Sequence, residues 1–459
     1  MRVLGVQSQN KDALTTRSMN APSSISSTND QDTGGMRQPN PFAILSNMAG
    51  RSKLEIGIHL ANDGHVYRNL DRVHGTLVIK ATCDTPFETV EIAFVGASHT
   101  RIERYGGHTL STDISRASHE FINTAQTHMD QHLPVDRILR AGRTYTFPID
   151  LTIPDCIEWT KCRHSVDSVA VRDAHRHLPP TFNDCGDLNI SAKRKNAFFG
   201  GATVRYRVRA TVTRGSYFKG KKSIVPVISY EHGILVLPAS RGFLPISMDR
   251  TREAAYETHQ FKHRLQSRCL GTLTVAMLYA PTLLSPTLGA KIGIGDRTFA
   301  FSVALHYRPG HASMELPHLK KIVSKLKSYT YYSTSPYTDF PSTRCSKEDS
   351  SKVLWSNSTK LASRDATSIP WNTESFDDFN SSSDDFGCTE SSVNVQDAHF
   401  VSKLVIPVEI PFTEHLIPTF HSCLIGHFHE ITLSLSFGLN GLKKDVKVRM
   451  PLHIASLSK

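Results

Sequence analysis

The chain has 459 residues, of which 39% are hydrophobic, and a formal net charge of +11. This length exceeds what one hydrophobic core usually serves, so at least two domains are expected. No apolar run reaches the roughly 18 to 20 residues that cross a bilayer as a helix, so a soluble or peripheral protein is expected. The positive charge favours acidic partners such as anionic lipid headgroups, phosphorylated tails or nucleic acid.

The first 50 residues are rich in Ser, Thr and Asn and contain several Arg and Lys among few acidic residues. A mitochondrial presequence can have this composition. An amphipathic Arg/Leu repeat is missing, which favours a disordered tail over residues 1–50.

The region 51–240 predicts a first domain made of strands. Apolar residues alternate with polar ones at a period of two, as in strands that place one face on a core. The alternating segments are 54–60, 73–79, 90–94, 145–153 and 204–212. A hairpin around 215–222 leads to two further apolar stretches. Pro238 and the polar segment 239–261 then predict a linker between domains.

The region 260–457 repeats the pattern and predicts a second domain. Its alternating segments are 273–277, 299–305, 404–410, 431–437 and 446–454. Apolar residues in 319–332 have helical spacing, with a β-branched and aromatic end, so a basic helix and a strand both stay open. Residues 365–402 carry eight carboxylates and no Lys or Arg. They indicate a disordered, acidic, Ser-rich insertion over 344–402.

Every strong element is a strand, and turn residues recur every 8 to 12 positions. The sequence therefore predicts an all-β protein with two tandem β-sandwiches. Parallel βαβ units are excluded because no helical pattern separates the strands.

The first domain resembles an arrestin N-terminal domain in the order of its motifs. The motifs are Val73-His74-Gly75-Thr76-Leu77-Val78-Ile79, Val90-Glu91-Ile92-Ala93-Phe94-Val95-Gly96, Ala141-Gly142-Arg143-Thr144-Tyr145-Thr146-Phe147-Pro148-Ile149, Leu178-Pro179-Pro180-Thr181 and Val204-Arg205-Tyr206-Arg207-Val208-Arg209-Ala210.

The second domain resembles the arrestin C-terminal domain of fungal alpha-arrestins. The motifs are Gly271-Thr272-Leu273-Thr274-Val275, Thr330-Tyr331-Tyr332-Ser333, Val405-Ile406-Pro407-Val408, Ile417-Pro418-Thr419-Phe420-His421-Ser422-Cys423-Leu424 and Met450-Pro451-Leu452. The likeness covers about 54–456 apart from the insertion. It implies two immunoglobulin-like (E-set) sandwiches and favours a strand at 319–332.

The resemblance implies a function without catalysis. It indicates a cytoplasmic adaptor, at the plasma membrane or endosomes, that binds cytosolic tails of membrane-protein cargo in endocytosis and protein transport, with peripheral contact to anionic membrane. Alpha-arrestins recruit WW-domain ubiquitin ligases through Pro-Pro-x-Tyr motifs. That motif is absent here, and the nearest strings are Pro179-Pro180-Thr181-Phe182 and Ser335-Pro336-Tyr337. A ligase adaptor with an atypical motif, a retromer-like cargo-sorting subunit and an enzyme with an unrecognised site remain alternatives.

Basic residues near one predicted hairpin are candidates for binding phosphate groups or other anions. They are Lys193, Arg194, Lys195, Arg205, Arg207, Arg209, Lys219, Lys221 and Lys222. A merely solvated face is the equal alternative. Nucleic acid is a weaker expectation because aromatic interleaving and known nucleic-acid motifs are missing.

No metal, cofactor or catalytic residue is expected from the sequence. The densest group of potential ligands is His421, Cys423, His427 and His429. Zinc prefers short paired ligand spacings, and a second pair is not found, so structural roles are favoured. The eight scattered cysteines are interpreted as free thiols, and the Gly-rich segment 289–295 as a turn between strands.

Overall fold

The computed structural model describes residues 53–105, 112–127, 129–183, 201–218, 221–239, 256–262, 269–277, 282–285, 298–310, 315–340, 351–365, 368–374, 399–410 and 416–456. All of them belong to one compact unit, Lys53–Lys459. The predicted N-terminal tail, Lys193 to Lys195, Lys219 and the Gly-rich segment lie outside the described residues.

The described residues between 53 and 239, called the first half, form two sheets and a short ribbon. The smaller sheet has the order β1 (Leu54–Leu60), β3 (Arg72–Ala81), β8 (Thr144–Thr152). The larger sheet has the order β2 (Val66–Tyr67), β10 (Lys221–Val236), β9 (Ala202–Phe218), β5 (Thr89–Tyr105), β6 (Thr112–Ala125). The ribbon pairs β4 (Thr85–Pro86) with β7 (Ile138–Leu139).

The described residues between 256 and 456, called the second half, form two more sheets. One has the order β11 (Tyr256–Lys262), β12 (Cys269–Met277), β14 (Thr298–Pro309), β18 (His399–Glu409), β17 (Asn372–Glu374). The other has the order β13 (Thr282–Ser285), β21 (Leu442–Ser456), β20 (Ile425–Leu439), β15 (His318–Ser333), β16 (Lys352–Asp365), and β19 (Phe420–His421) pairs with β20.

The helices among the described residues are short and lie in the first half. They are the 3-10 helices Met129–His132 and Trp159–Lys161 and the α-helix α1 (Val169–Arg176). The prediction of an all-β protein is confirmed by this content. The open choice at 319–332 is decided for a strand, since this segment lies within β15.

Each half has its own core, built by the apolar face of alternating strands. In β9, Val204, Tyr206 and Val208 are fully buried, while the arginines between them are half-buried on the other face. The core of the second half takes its largest side chains from β14 and β20, among them Phe301 and Phe437. The period-two pattern therefore identified the inward face of the strongest strands.

The prediction of a disordered insertion over 344–402 was wrong in part. Strand β16 pairs with β15 over its whole length, and β17 pairs with β18. Between them Ile369 is buried, and Trp371 Nε1 donates a hydrogen bond to the Pro317 carbonyl (3.1 Å). An edge strand needs only one apolar face, so its polar Ser, Thr and Asn residues hid it from a composition argument. Residues 375–398 lie outside the described residues.

Two boundaries also differ from the prediction. Strand β11 begins at Tyr256, inside the predicted linker 239–261 and before the predicted domain start at 260, because its Phe261 side chain belongs to the second core. Helix α1 lies in the connection between β8 and β9 and is only two turns long. Among the described residues, no helix is long and apolar enough to cross a membrane.

Candidate functional site

The described part of the connection between β8 and β9 contacts the second half. The Asp167 backbone N–H donates to the Thr338 carbonyl (2.7 Å), and the Thr338 hydroxyl donates to the Asp167 carboxylate (2.9 Å). Nearby, the Phe182 and Phe420 rings meet edge to face at 5.9 Å. The second half thus covers this connection, and the contact region between the halves is called the junction below.

The second half also closes the core of the first. Four residues around the turn between β19 and β20 belong to the first hydrophobic cluster, namely Phe420, Cys423, Leu424 and Ile425. This turn is held by Ser422, whose backbone N–H and hydroxyl both donate to the Ile425 carbonyl (2.8 and 2.7 Å). The junction is therefore a shared core, built from residues far apart in the chain.

Helix α1 carries a histidine into the junction. Its N-cap is Ser168, whose hydroxyl accepts a hydrogen bond from the Val171 backbone N–H (3.3 Å). Val171, Ala174 and His175 form its buried face, as the 3.6-residue period of a helix requires. His175 is 1% exposed, so the helix fixes an imidazole inside the contact between the halves.

Two cysteines and two histidines meet at this point, and they are called the Cys/His cluster. Its members are Cys162, His164, His175 and Cys423, whose ligand atoms all lie within 4.8 Å of one another. Cys162 Sγ lies 3.7 Å from Cys423 Sγ, 3.1 Å from His164 Nε2 and 3.5 Å from His175 Nδ1. His164 Nε2 lies 3.3 Å from Cys423 Sγ. Four soft or borderline donor atoms thus converge on one point.

The other nitrogen of each cluster imidazole has a partner of its own. His164 Nδ1 lies 2.9 Å from the Ser165 carbonyl, which can only accept, so this nitrogen carries the proton and Nε2 offers a lone pair. His175 Nε2 lies 3.1 Å from His421 Nε2, and His421 Nδ1 lies 2.6 Å from the Tyr331 hydroxyl. A chain of hydrogen bonds from Tyr331 through His421 therefore fixes the orientation of the His175 ring.

Burial favours the neutral forms of His175, His421 and Cys423. Burial, together with the charges of His164 and His119, lowers the pKa of His175 to about 3. The pKa of His421 lies well below its usual range, mainly because of burial and then because of His175. Burial and the neighbouring Cys162 thiol raise the pKa of Cys423. A catalytic thiol needs a lowered pKa, so Cys423 is not an activated nucleophile.

Cys423 was grouped with His427 and His429 from its position in the sequence, but these two histidines are not part of the Cys/His cluster. His427 and His429 lie on β20 and face other partners: the Thr330 hydroxyl is 2.8 Å from His427 Nδ1, and the Ser328 hydroxyl is 2.9 Å from His429 Nδ1. These histidines stabilise the pairing of β20 with β15. Cys423 instead meets residues about 250 positions earlier in the chain, a proximity that only the fold creates.

Among the basic residues predicted to bind anions, Arg205, Arg207 and Arg209 lie half-buried on one face of β9. Arg207 Nε lies 3.5 Å from Glu231 and Arg209 lies 3.6 Å from Glu120, so both guanidinium groups already face carboxylates. Lys222 pairs with Tyr217 at the far end of the β9–β10 hairpin, roughly 25 Å along the strand from Arg209 at about 3.3 Å per residue. One gathered anion site over these positions stays a prediction.

A different basic surface, which sequence reasoning missed, lies on the outer face of the β13 to β16 sheet. Its residues come from β15, β16 and β21, and it is called the basic sheet face: Lys321, Lys325, Lys327, Lys360, Lys443, Lys447 and Arg449. Lys325 stands directly opposite Lys360 on one side and Thr432 on the other, and Thr432 stands opposite Arg449. Three carboxylates, Asp365, Glu430 and Asp445, interrupt it.

The two strings nearest to a ligase-recruiting motif both have a buried aromatic residue, although Ser335 and Pro336 of the second string are exposed. Pro179 and Pro180 are buried, and the Pro179 carbonyl accepts a hydrogen bond from the Tyr206 hydroxyl (2.6 Å). Phe182 and Tyr337 are each 3% exposed. A WW domain binds an exposed polyproline segment with its aromatic residue, and the aromatic residue of each string is buried in this fold.

The fold and the site define an all-β protein of two halves with a Cys/His cluster at their junction. No protein-family model matches the chain, and a search of curated proteins found no significant match.

Proposed function

We propose that this protein is a non-enzymatic, arrestin-like adaptor that binds acidic or phosphorylated cytosolic tails of membrane-protein cargo during trafficking. Two immunoglobulin-like sandwiches in tandem would supply the scaffold, in line with the motif order in both halves. Binding would take place in the cytoplasm, at the plasma membrane or endosomes. The observation that carries the proposal is the basic sheet face of the second half.

The layout of that face favours an anionic partner. Lys325 and Lys360 are exposed and lie directly opposite each other on neighbouring strands. Like charges at such positions are destabilising, so their pairing has a cost that a bound anion would offset. Arg449 lies in the same row, and Lys447 lies two residues away on the same strand face. Phosphate or carboxylate groups of an extended tail could accept charge-assisted hydrogen bonds from this row.

Two further features favour binding over catalysis. The Cys423 thiol has a raised pKa and lies in a packed junction, which suits a structural role. A cleft of 180 Å³ between β15, β16 and β18 is lined mainly by apolar residues such as Leu319 and Ile406. Ligand pockets usually enclose about 300 Å³ or more, so this cleft is small for a substrate.

Charge reversal tests the surface in vitro. The triple variant Lys325→Glu, Lys360→Glu, Arg449→Glu is expected to bind a fluorescent peptide with alternating phosphoserine and aspartate about tenfold or more weakly, because charge-assisted hydrogen bonds contribute about 1.5 to 3 kcal/mol each. The matched control is Lys53→Glu, Lys80→Glu, Lys403→Glu, which changes net charge equally at exposed positions elsewhere. Equal losses in both variants would show that only overall charge matters.

Proximity labelling in the native cell tests the function itself. The wild-type protein is expected to label integral membrane proteins with cytosolic tails, and the triple variant is expected to lose them while the control variant keeps them. A labelled set without membrane proteins, or one that the triple variant leaves unchanged, would contradict the adaptor function.

Binding of the purified protein to anionic vesicles that lack any tail peptide, with no gain when the peptide is attached, would assign the face to lipid instead.

A further inference from the structure

We propose that the Cys/His cluster binds a zinc ion that fastens the first half to the second. Two cysteine sulfurs and two imidazole nitrogens are a ligand set that tetrahedral zinc adopts in structural sites. The ligands come from three places: a loop of the first half, helix α1 and the turn between β19 and β20. The ion would join segments that are otherwise linked only by packing and hydrogen bonds.

Four of the six distances between ligand atoms are close to those around one tetrahedral ion, and all six are within 4.8 Å. At a Zn–S distance of about 2.3 Å, two sulfurs at tetrahedral positions lie about 3.8 Å apart, and a sulfur and a nitrogen lie about 3.6 Å apart. The separation of the Cys162 and Cys423 sulfurs is 3.7 Å, and Cys162 Sγ lies 3.5 Å from His175 Nδ1. The two contacts of His164 Nε2, 3.1 and 3.3 Å, are slightly shorter. Small shifts of its exposed loop would bring them to the expected value.

The hydrogen bonds behind the ligands are those that a metal site needs. A ligating imidazole usually donates its other N–H to a carbonyl or another acceptor, which fixes the tautomer. His164 Nδ1 donates to the Ser165 carbonyl, so its Nε2 is free to ligate. With His175 Nδ1 on the ion, its Nε2–H donates to His421, whose Nδ1–H donates to the Tyr331 oxygen. Each of these imidazole nitrogens then binds the ion, donates one hydrogen bond or accepts one.

Charge also balances at this buried position. Zinc binds cysteine as the thiolate, and two thiolates with two neutral imidazoles make the complex neutral overall. A neutral complex avoids the cost of placing a net charge in the shared core of the junction. Without an ion, two thiols at this distance could instead form a disulfide by oxidation, which is the main competing outcome.

Metal content of the full-length protein, purified without chelator and with any affinity tag removed, tests the proposal. About one zinc ion per chain is expected, and the double variant Cys162→Ser, His164→Gln is expected to hold about tenfold less, because both ligands come from the same loop. The matched control is Cys156→Ser, His177→Gln, which changes the same residue types in the same connection outside the cluster. The control is expected to keep the wild-type zinc content.

A thiol-alkylation measurement on the wild-type protein keeps the test valid if the double variant fails to fold. Cys162, which is half-buried, is expected to be protected in the metal-bound protein and to become reactive after chelation, whereas Cys83 and Cys156 react in both states. Absorption bands of tetrahedral thiolate-bound cobalt after replacement of the ion by Co²⁺ would support the same ligand set. Wild-type protein without zinc, an equal loss of zinc in the control, or a disulfide between Cys162 and Cys423 would overturn the proposal.

Discussion

Replacing Gly426 by alanine is expected to lower the free energy of unfolding by about 3 to 5 kcal/mol. Gly426 on β20 stands directly opposite Tyr331 on β15, and an added Cβ would overlap the tyrosine ring. The ring cannot move aside, because it is enclosed by Tyr337 and Phe428 and its hydroxyl is bound to His421. The change would therefore cause steric strain and would also break a buried hydrogen bond.

Urea unfolding of Gly426→Ala and of a matched glycine variant measures this effect. The control is Gly57→Ala on β1, where the nearest atom to an added Cβ is the end of the His59 side chain at 3.6 Å. It is expected to change stability by less than about 1 kcal/mol. In a Tyr331→Ala background, Gly426→Ala should have little further cost, because the overlapping ring is gone. A full cost in that background would show that the clash is not the cause.

Mild acid is expected to destabilise the protein through histidines that are buried as neutral groups. Burial lowers the pKa of His429 to about 4, and the pKa of His427 lies well below its usual range for the same reason. In the unfolded chain such groups take up a proton near pH 6.5. The stabilising contribution of His429 is therefore complete above about pH 6.5 and is lost as pH falls toward 4, amounting to about 2 kcal/mol between pH 7.5 and 5.

The variant His429→Gln isolates this contribution. Glutamine can donate to the Ile417 carbonyl, which lies 2.9 Å from His429 Nε2, but it does not titrate. The pH dependence of the unfolding free energy should become about 2 kcal/mol smaller between pH 7.5 and 5. The difference between the two proteins cancels other groups, including Glu430, whose pKa is raised by burial and which acts in the opposite direction. His65→Gln, on an exposed turn, is the control, and an equal change in that variant would contradict the assignment.

Sequence alone could predict the strands whose alternation is regular. Val204, Tyr206 and Val208 mark one buried face within only five positions. They do so because a period of two is a local property of the sequence. Strand β16 was missed for the opposite reason. Its Ser356, Asn357 and Ser358 have the composition of a loop, and the strand exists because β15 offers it a partner. Edge strands of this kind depend on tertiary pairing more than on their own residues.

The candidate site could not be predicted, because it depends on register and on long-range contacts. Lys325, Lys360 and Arg449 form one row only because three strands pair in a particular register. Cys162 and Cys423 are 261 positions apart, and neither has the short paired spacing that marks a zinc site in a sequence. His175 reaches the cluster through a helix too short to be predicted from periodicity. These residues carry chemistry that the fold brings together.

X-ray absorption at the zinc edge of the intact, purified protein tests the central claim most directly, which is that a metal site of two cysteines and two histidines joins the two halves. A first coordination shell of sulfur at about 2.3 Å and nitrogen at about 2.0 Å in equal numbers is expected. The zinc signal should fall about tenfold in the Cys162→Ser, His164→Gln variant, and the sulfur and nitrogen shell should persist in Cys156→Ser, His177→Gln. A shell of nitrogen and oxygen alone, or a protein without bound zinc, would contradict it.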